Sequence, residues 1–312
     1  MKIYRDIESL PPIRNAVVTT GSFDGVHIGH QVLINRLNEL ARSVDGESVL
    51  ITFYPHVRKV LYPATEGKSL QMINSQTEKI ELLEKAGLDN LVIINFTLEF
   101  AKTSAEDFVR HLLVGKLHAK VVVVGYNHYF GHNKEGNYDN LTALGRELNF
   151  SVVEIPRQDL ENETVGSTRI RQSLNDGKIM HANAYLDHIY FIDTRFCTGS
   201  PLFAQAGFET FVVRIDEESK LIPPDGIYAV RIQSNGNNTK GMMLNNYHGT
   251  LQHPLLNQDV EVMPFERPDD FCEKCGKVFV HRELSQNMPL QDIDKLRNYL
   301  SQLREIIDEM IY

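Results

Sequence analysis

A chain of 312 residues is longer than one ordinary domain and leads us to expect two, each able to bury its own core. Its hydrophobic content of 42% and charged content of 23% are those of a globular protein, and no tract approaches the roughly 18 apolar residues that would cross a bilayer. A formal net charge of −9 excludes broad nucleic-acid binding, which needs surplus Lys and Arg, but leaves room for a local positive pocket around a small anion.

In chain order, the opening MKIYRDIESLPPIRN carries two acids and two prolines where a secretory signal would be apolar, and three cysteines cannot build a disulfide framework. A cytoplasmic location with neither membrane nor nucleic-acid partner is expected; a homo-oligomer is left open. The first half then alternates short β-branched runs (NAVVTTG, SVLITFYP, DNLVIINF, KVVVVGYN, SVVEIP) with helical patterns (HQVLINRLNELARSV, SQTEKIELLEKAG, SAEDFVRHLLVGKL, NLTALGRELN). Unbroken apolar runs such as Val121 to Val124 suit strands buried on both faces, and the alternation predicts an α/β fold, a parallel doubly wound Rossmann-like sheet. Ser75 three residues before Glu78, and Thr103 or Ser104 before Glu106, read as helix caps. After about residue 190 the segments FETFVVRI, GIYAVRI, KGMMLNN, QDVEVMPF and GKVFVHREL are separated by Gly, Pro, Asn and Asp, which predicts a small antiparallel barrel or sandwich. SNGNNTKG reads as a hairpin loop. A closing helix carries Ile293, Leu296, Leu300, Leu303, Ile307 and Met310 at helical spacing and should pack on the barrel. The expected border lies between residues 188 and 189.

The stretch GSFDGVHIGH, Gly21 to His30, follows the first strong strand, where open α/β sheets place their ligands. Gly21 and Gly25 allow a tight turn and close backbone approach, and His27 and His30 open a helix whose amides favour anions. Two imidazoles at i, i+3 point the same way and could hold a polyphosphate. A surface helix that merely contains histidines, or a metal pair, remains an alternative at this point, although zinc would need further ligands that are not evident.

HxGH after a first strand is the signature of the nucleotidylyltransferases, related to class I aminoacyl-tRNA synthetases; the KMSKS-like loop of the latter is missing here. Val165 to Leu186, VGSTRIRQSLNDGKIMHANAYL, resembles the (I/V)SSTxIRxxLxxGxxxxAxxxL segment of that superfamily. Between them lie FYPH, Phe53 to His56, and VVVVGYNHYFGHNKEG, Val121 to Gly136. The set, in this order, resembles the prokaryotic bifunctional riboflavin kinase/FMN adenylyltransferase (FAD synthetase) family over about residues 15 to 190. The resemblance implies AMP transfer from ATP, with Mg²⁺, to FMN as substrate, giving FAD. It implies His27, His30 and Arg171 as catalytic residues, and Gly21, Ser22, Phe23, Asp24, Gly25, Ser167, Thr168 and Arg169 beside the histidines at ATP. Phe53, Pro55, His56, Asn127 and Tyr129 would face FMN, and no resident metal site is implied. Asn127, Tyr129 and Gly166 depart from the family's commonest residues there, Asp, Arg and Ser.

The same resemblance makes the second half a riboflavin-kinase-like barrel. Its GFPTAN motif falls on AGFETFVV, keeping Gly207, Phe208 and Thr210 but placing Glu209 for Pro and Val212 for Asn, and valine can bind neither Mg²⁺ nor phosphate. Asn287 stands where the general base belongs, and an amide has no useful basicity. The glycine- and arginine-rich entry has become CTGSPLFAQAG, without arginine. An inactive kinase half is therefore expected. Rival readings are the usual bifunctional enzyme and a non-catalytic flavin- or nucleotide-binding paralogue; the intact HxGH weighs against the latter. Cys272 and Cys275 form half of a zinc ribbon, expected to be a plain thiol pair because the matching CxxC is lacking.

Overall fold

The computed structural model describes residues 1–126, 129–155, 166–245, 260–266, 275–286 and 292–311. They divide into two compact units, Met1–Leu70 with Lys79–Gly166, and Gln71–Glu78 with Ser167–Tyr312.

The first unit is a six-stranded sheet in the order β1-β4-β3-β2-β5-β6, every neighbouring pair parallel. Strands β2 (Val17–Thr20), β3 (Ser48–Tyr54), β4 (Asn90–Asn95), β5 (Val121–Gly125) and β6 (Ser151–Ile155) fall on the five expected runs. An additional strand β1 (Lys2–Tyr4) pairs at the edge with β4; three residues are too few to show a periodic signal. Alternate strand residues feed two cores. Val49, Ile51, Val92, Ile94, Val122 and Val124 pack with Phe108 and Leu112 on one face, while Val17, Leu50, Leu91, Ile93 and Val123 pack with Ile34, Leu37 and Leu83 on the other. Burial on both faces is why these strands are unbroken apolar runs.

The connecting helices are α1 (Ile28–Ser43), α2 (Val57–Leu61), α3 (Gln76–Lys85), α4 (Ala105–Asp107) and α5 (Tyr138–Leu148). Ser104 caps α4 by accepting from Asp107 N at 2.9 Å. The helix expected beyond α4 continues as a π-helix, Phe108–Lys116, and closes with Leu117 N on Leu112 O at 3.0 Å. At Ser75 the expected reciprocal cap forms: Ser75 Oγ accepts from Glu78 N at 3.2 Å and Glu78 Oε2 accepts from Ser75 N at 2.9 Å.

The second unit contains a closed antiparallel barrel, β10-β11-β8-β7-β12-β9, built from β7 (Tyr190–Thr198), β8 (Phe211–Arg214), β9 (Gly226–Ser234), β10 (Asn237–Asn245), β11 (Val260–Pro264) and β12 (Gly276–Ser285). Asn235 and Gly236, at φ 50° and 82°, make the two-residue turn of the β9–β10 hairpin; Ser234 and Asn237 to Gly241 of the expected loop are strand instead. Helices α6 (Ser167–Asn175) and α7 (Ile179–Leu186), which the sequence reading groups with the first domain, belong to this unit. Asn183 ties α7 to the barrel, donating to Val280 O at 3.0 Å and accepting from Tyr190 N at 2.7 Å. Between β7 and β8, within CTGSPLFAQAG, the chain forms a short helix, α8 (Pro201–Gln205), that no sequence signal announced. The closing helix α9 (Ile293–Met310) is capped by Asp292 and buries Leu296, Leu300, Leu303 and Ile307 against Ile227, Ala229, Met242, Leu244 and Met263. Ile293 stays outside this contact, 38% exposed.

Candidate functional site

The loop after β2 is folded tightly by three left-handed residues, Phe23, Gly25 and Val26, at φ 48°, 96° and 40°. Glycine adopts that conformation freely, whereas the β-branched Val26 holds it only under constraint from its surroundings. Gly21 N extends the sheet by donating to Ile51 O at 3.0 Å. A Cβ on Gly21 would stand 3.0 Å from the Phe23 ring, and one on Gly29 would stand 3.3 Å from His27 Cε1. Gly21 and Gly29 therefore make room for rings.

His27 is the N-cap of α1 and its side chain makes no capping hydrogen bond. Its ring stacks on His30 with centroids 3.7 Å apart at 21°, and His30 stacks in turn on Phe23 at 4.5 Å and 26°. Both Nδ1 atoms are buried without a hydrogen-bond partner among the described residues. Such atoms are costly unless a ligand completes them. Burial pushes the His27 pKa down to about 4, opposed by the neighbouring carboxylate of Asp24. Burial, then His27, then Lys79 hold His30 well below the ordinary imidazole range. The resting pair is thus neutral at physiological pH, and an incoming anion would draw protons onto it.

The sign of the pH dependence follows. Above the ordinary histidine pKa of 6.5 the folded and unfolded states bind the same protons; as pH falls from 6.5 to about 4 the unfolded chain takes up a proton that folded His27 refuses. The ligand-free protein is expected to lose on the order of 3 kcal/mol through His27 alone across that window. Urea unfolding at stepped pH checks this: His27→Asn should flatten the slope between pH 6.5 and 4, and an unchanged slope would exclude a buried neutral His27.

Lys79 is a member of this site that sequence reasoning missed. Its side chain is buried, 4% exposed, and its Nζ donates to Ser22 O at 3.2 Å, a carbonyl that also accepts from Thr52 Oγ1 at 3.3 Å. The available signal was its place four residues before Leu83 on the apolar stripe of α3, where a charge is out of pattern.

Of the residues assigned to flavin, Phe53, the penultimate residue of β3, lies in an aromatic cluster, edge-on to Phe96 at 5.5 Å and tilted to Phe100 at 6.1 Å. Pro55 follows Tyr54 through a cis peptide bond, and His56 Nδ1 accepts from Arg58 N at 3.2 Å, capping α2. Tyr129 is 58% exposed; Asn127 lies outside the described residues.

Ser167, Thr168, Arg169 and Arg171 occupy the first half of α6, in the second unit. Arg171 Nε donates to Gln71 O at 2.9 Å. A Cβ on Gly166 would meet nothing within 4 Å, so the missing serine hydroxyl there is not a steric requirement.

In the barrel, Val212 sits on β8 in register with Cys197 and Glu261. Phe203 and Ala206, 2% and 1% exposed, join the core formed with α9, and Arg297 Nε fastens the end of α8 by donating to Ala206 O at 2.9 Å. The segment expected at a nucleotide entrance is thus part of the hydrophobic core. Asn287 and Cys272 lie outside the described residues, and Cys275 is exposed. No group of three or more His, Cys, Asp or Glu among the described residues could hold a metal ion.

Comparison with known proteins gives two family matches, FAD synthetase over residues 11–169 and riboflavin kinase over residues 186–310. The chain is 31% identical to the bifunctional riboflavin kinase/FMN adenylyltransferase of Listeria monocytogenes, over 81% of this chain and 79% of that protein. It is 31% identical to the protein of the same name in Escherichia coli K12, over 74% and 73%, and 27% identical to that of Buchnera aphidicola from Acyrthosiphon pisum, over 97% and 96%. A crystal structure titled macrolide-efflux protein from Streptococcus pneumoniae superimposes with a TM-score of 0.85 over 98% of both chains at 23% identity, which speaks for the fold alone.

Proposed function

This chain belongs to the family of bifunctional riboflavin kinase/FMN adenylyltransferases, and on that premise we propose that its first unit transfers AMP from ATP to FMN while its barrel no longer phosphorylates riboflavin. The observation that carries the first half is the His27–His30 stack, two buried imidazoles with unpartnered Nδ1 atoms at the start of α1. In the transfer an FMN phosphate oxygen attacks the α-phosphorus of ATP in line. The bond between the α-phosphorus and the oxygen bridging it to the β-phosphorus breaks, and its electron pair stays on that oxygen as pyrophosphate leaves, so FAD forms without a covalent enzyme intermediate.

His27 and His30 act on the charge that builds up during this step. Being neutral at rest, they accept hydrogen-bonding roles toward phosphate oxygens and can gain protons only as the anion arrives, when stabilisation is needed. The backbone from Gly21 to Gly25 and the amides of α1 add fixed positive dipole ends. Ser167, Thr168, Arg169 and Arg171 are assigned to the triphosphate, and Phe53, Pro55, His56, Asn127 and Tyr129 to the flavin. Mg²⁺ arriving with ATP would screen the phosphate oxygens. A single loop carboxylate, Asp24, suits an ion that takes most of its ligands from phosphates and water. No helix among the described residues is long and apolar enough to cross a membrane; the reading places the protein in the cytoplasm with small molecules as partners.

The inactive barrel is supported by Val212, whose aliphatic side chain offers no ligand to metal or phosphate, and by α8, whose Phe203 and Ala206 are packed into the core with α9. Purified protein incubated with Mg²⁺, ATP and either FMN or riboflavin, with products separated by chromatography, tests both halves. We expect FAD from FMN and no FMN from riboflavin. Phosphorylation of riboflavin at an enzymatic rate would overturn the reading of the barrel; MgATP binding without FAD formation would overturn that of the first unit.

A further inference from the structure

We propose that Lys79 is a positioning residue of the adenylyl-transfer site, and that the kinase-like barrel serves that site by holding the adjacent residue, Glu78; the inference rests on the adenylyltransferase reading above. Glu78 and Lys79 are consecutive in the first turn of α3, yet their side chains serve different units. Glu78 belongs to the barrel unit, 1% exposed, and its carboxylate is saturated there. Oε1 accepts from Asp193 N at 2.8 Å, and Oε2 accepts from Ser75 N at 2.9 Å and from Lys220 Nζ at 2.5 Å.

Lys220 is itself fully buried. Its ammonium also donates to Ile73 O at 2.7 Å and Phe191 O at 2.9 Å and lies 4.2 Å from the centre of the Tyr190 ring. All three of its protons are taken. An ammonium sealed in this way tolerates burial only with every partner in place, so the pair specifies one position for the start of α3. Backbone bonds reinforce it: Met72 N donates to Ser219 O at 2.6 Å, Leu221 N to Met72 O at 2.8 Å, and Gln76 N to the Glu217 carboxylate at 2.8 Å.

One residue later, Lys79 faces the sheet unit and donates to Ser22 O inside the loop that leads to His27. That bond fixes the orientation of the peptide following Ser22. The ammonium also acts on His30, helping to hold it neutral before ligand arrives. A buried lysine beside two neutral imidazoles is a preformed positive charge for a polyphosphate. Glu78 and Lys79 are consecutive in α3, so what holds the one bears on the other. Retention of a barrel that has lost its kinase residues then has a physical reason, because removing it would release the turn from which Lys79 projects.

The test compares full-length variants by steady-state FAD formation and by MgATP titration calorimetry, with thermal melts to establish folding. Lys79→Met is expected to lower kcat at least tenfold and weaken MgATP binding, with the KM for FMN unchanged; Lys79→Arg should recover part of the loss. On the barrel side, Glu78→Gln and the double variant Lys220→Met/Glu78→Gln, which leaves no unpaired charge, should shift the same two parameters in the same direction by a smaller factor. Lys79→Met with wild-type kcat and MgATP affinity would overturn the role of Lys79. Folded barrel-side variants indistinguishable from wild type, beside a defective Lys79→Met, would overturn the role of the barrel. A wild type that binds MgATP but forms no FAD overturns the adenylyltransferase reading instead, and the binding comparison still decides this one.

Discussion

His27→Asn and His30→Asn will each lower the turnover of FAD formation by about a hundredfold to a thousandfold, the loss that follows removal of one preorganised group from a developing phosphoryl charge. Asparagine keeps a polar side chain of similar reach but has no proton to gain as charge accumulates. His30 is the middle ring of the Phe23, His30, His27 stack, so its replacement also removes the surface against which His27 is held at 3.7 Å. The His30 variant is therefore expected to be the more severely affected in turnover. Affinity for FMN should be unchanged in both, because the residues assigned to flavin lie on other loops. Initial rates with saturating ATP, and flavin binding followed by fluorescence, separate the two effects. Rates within tenfold of wild type would place the stacked pair away from the transferring phosphorus.

What was legible in the sequence was written locally. The Val121–Val124 run, the Ser75–Glu78 cap, the Asn235-Gly236 turn and the His27–His30 spacing each encode their structure within a few residues, and each forms as expected. Long-range contacts were not legible. Lys220 lies in an ordinary turn-like stretch, and only the approach of Ile73, Glu78 and Phe191 makes it a buried charge. Lys79 reads as one more helix lysine until Ser22 is brought to it. The glycines of GSFDGVHIGH were legible as backbone devices, but the stack that they accommodate depends on the left-handed turn at Phe23 and Val26, residues that give no sequence signal for positive φ. Segment 201–205 is the clearest divergence: read as a nucleotide entry that has lost its arginines, it is a helix whose Phe203 is core.

Phe203→Ala is expected to destabilise the barrel unit by about 3–5 kcal/mol, the range for emptying a buried phenylalanine site. The ring is 2% exposed and shares a cluster with Leu296, Leu300, Leu303 and Ile307 of α9 and with Met242, Leu244 and Met263 of the barrel strands. Few of these neighbours can collapse into the space, because strand residues are held by the closed hydrogen-bonded barrel and α9 is pinned to α8 through Arg297 and Ala206. The size of the effect bears on function. A segment that admits a nucleotide must open at small cost, which puts it at the low-stability end of a fold; a segment whose one aromatic anchors the core cannot clear an entrance without unfolding what surrounds it. Denaturant titration of the variant, monitored by circular dichroism, measures the loss. A value near 3 kcal/mol or above fits a sealed barrel, whereas a loss below about 1 kcal/mol would identify α8 as a loose flap and reopen the barrel to nucleotide.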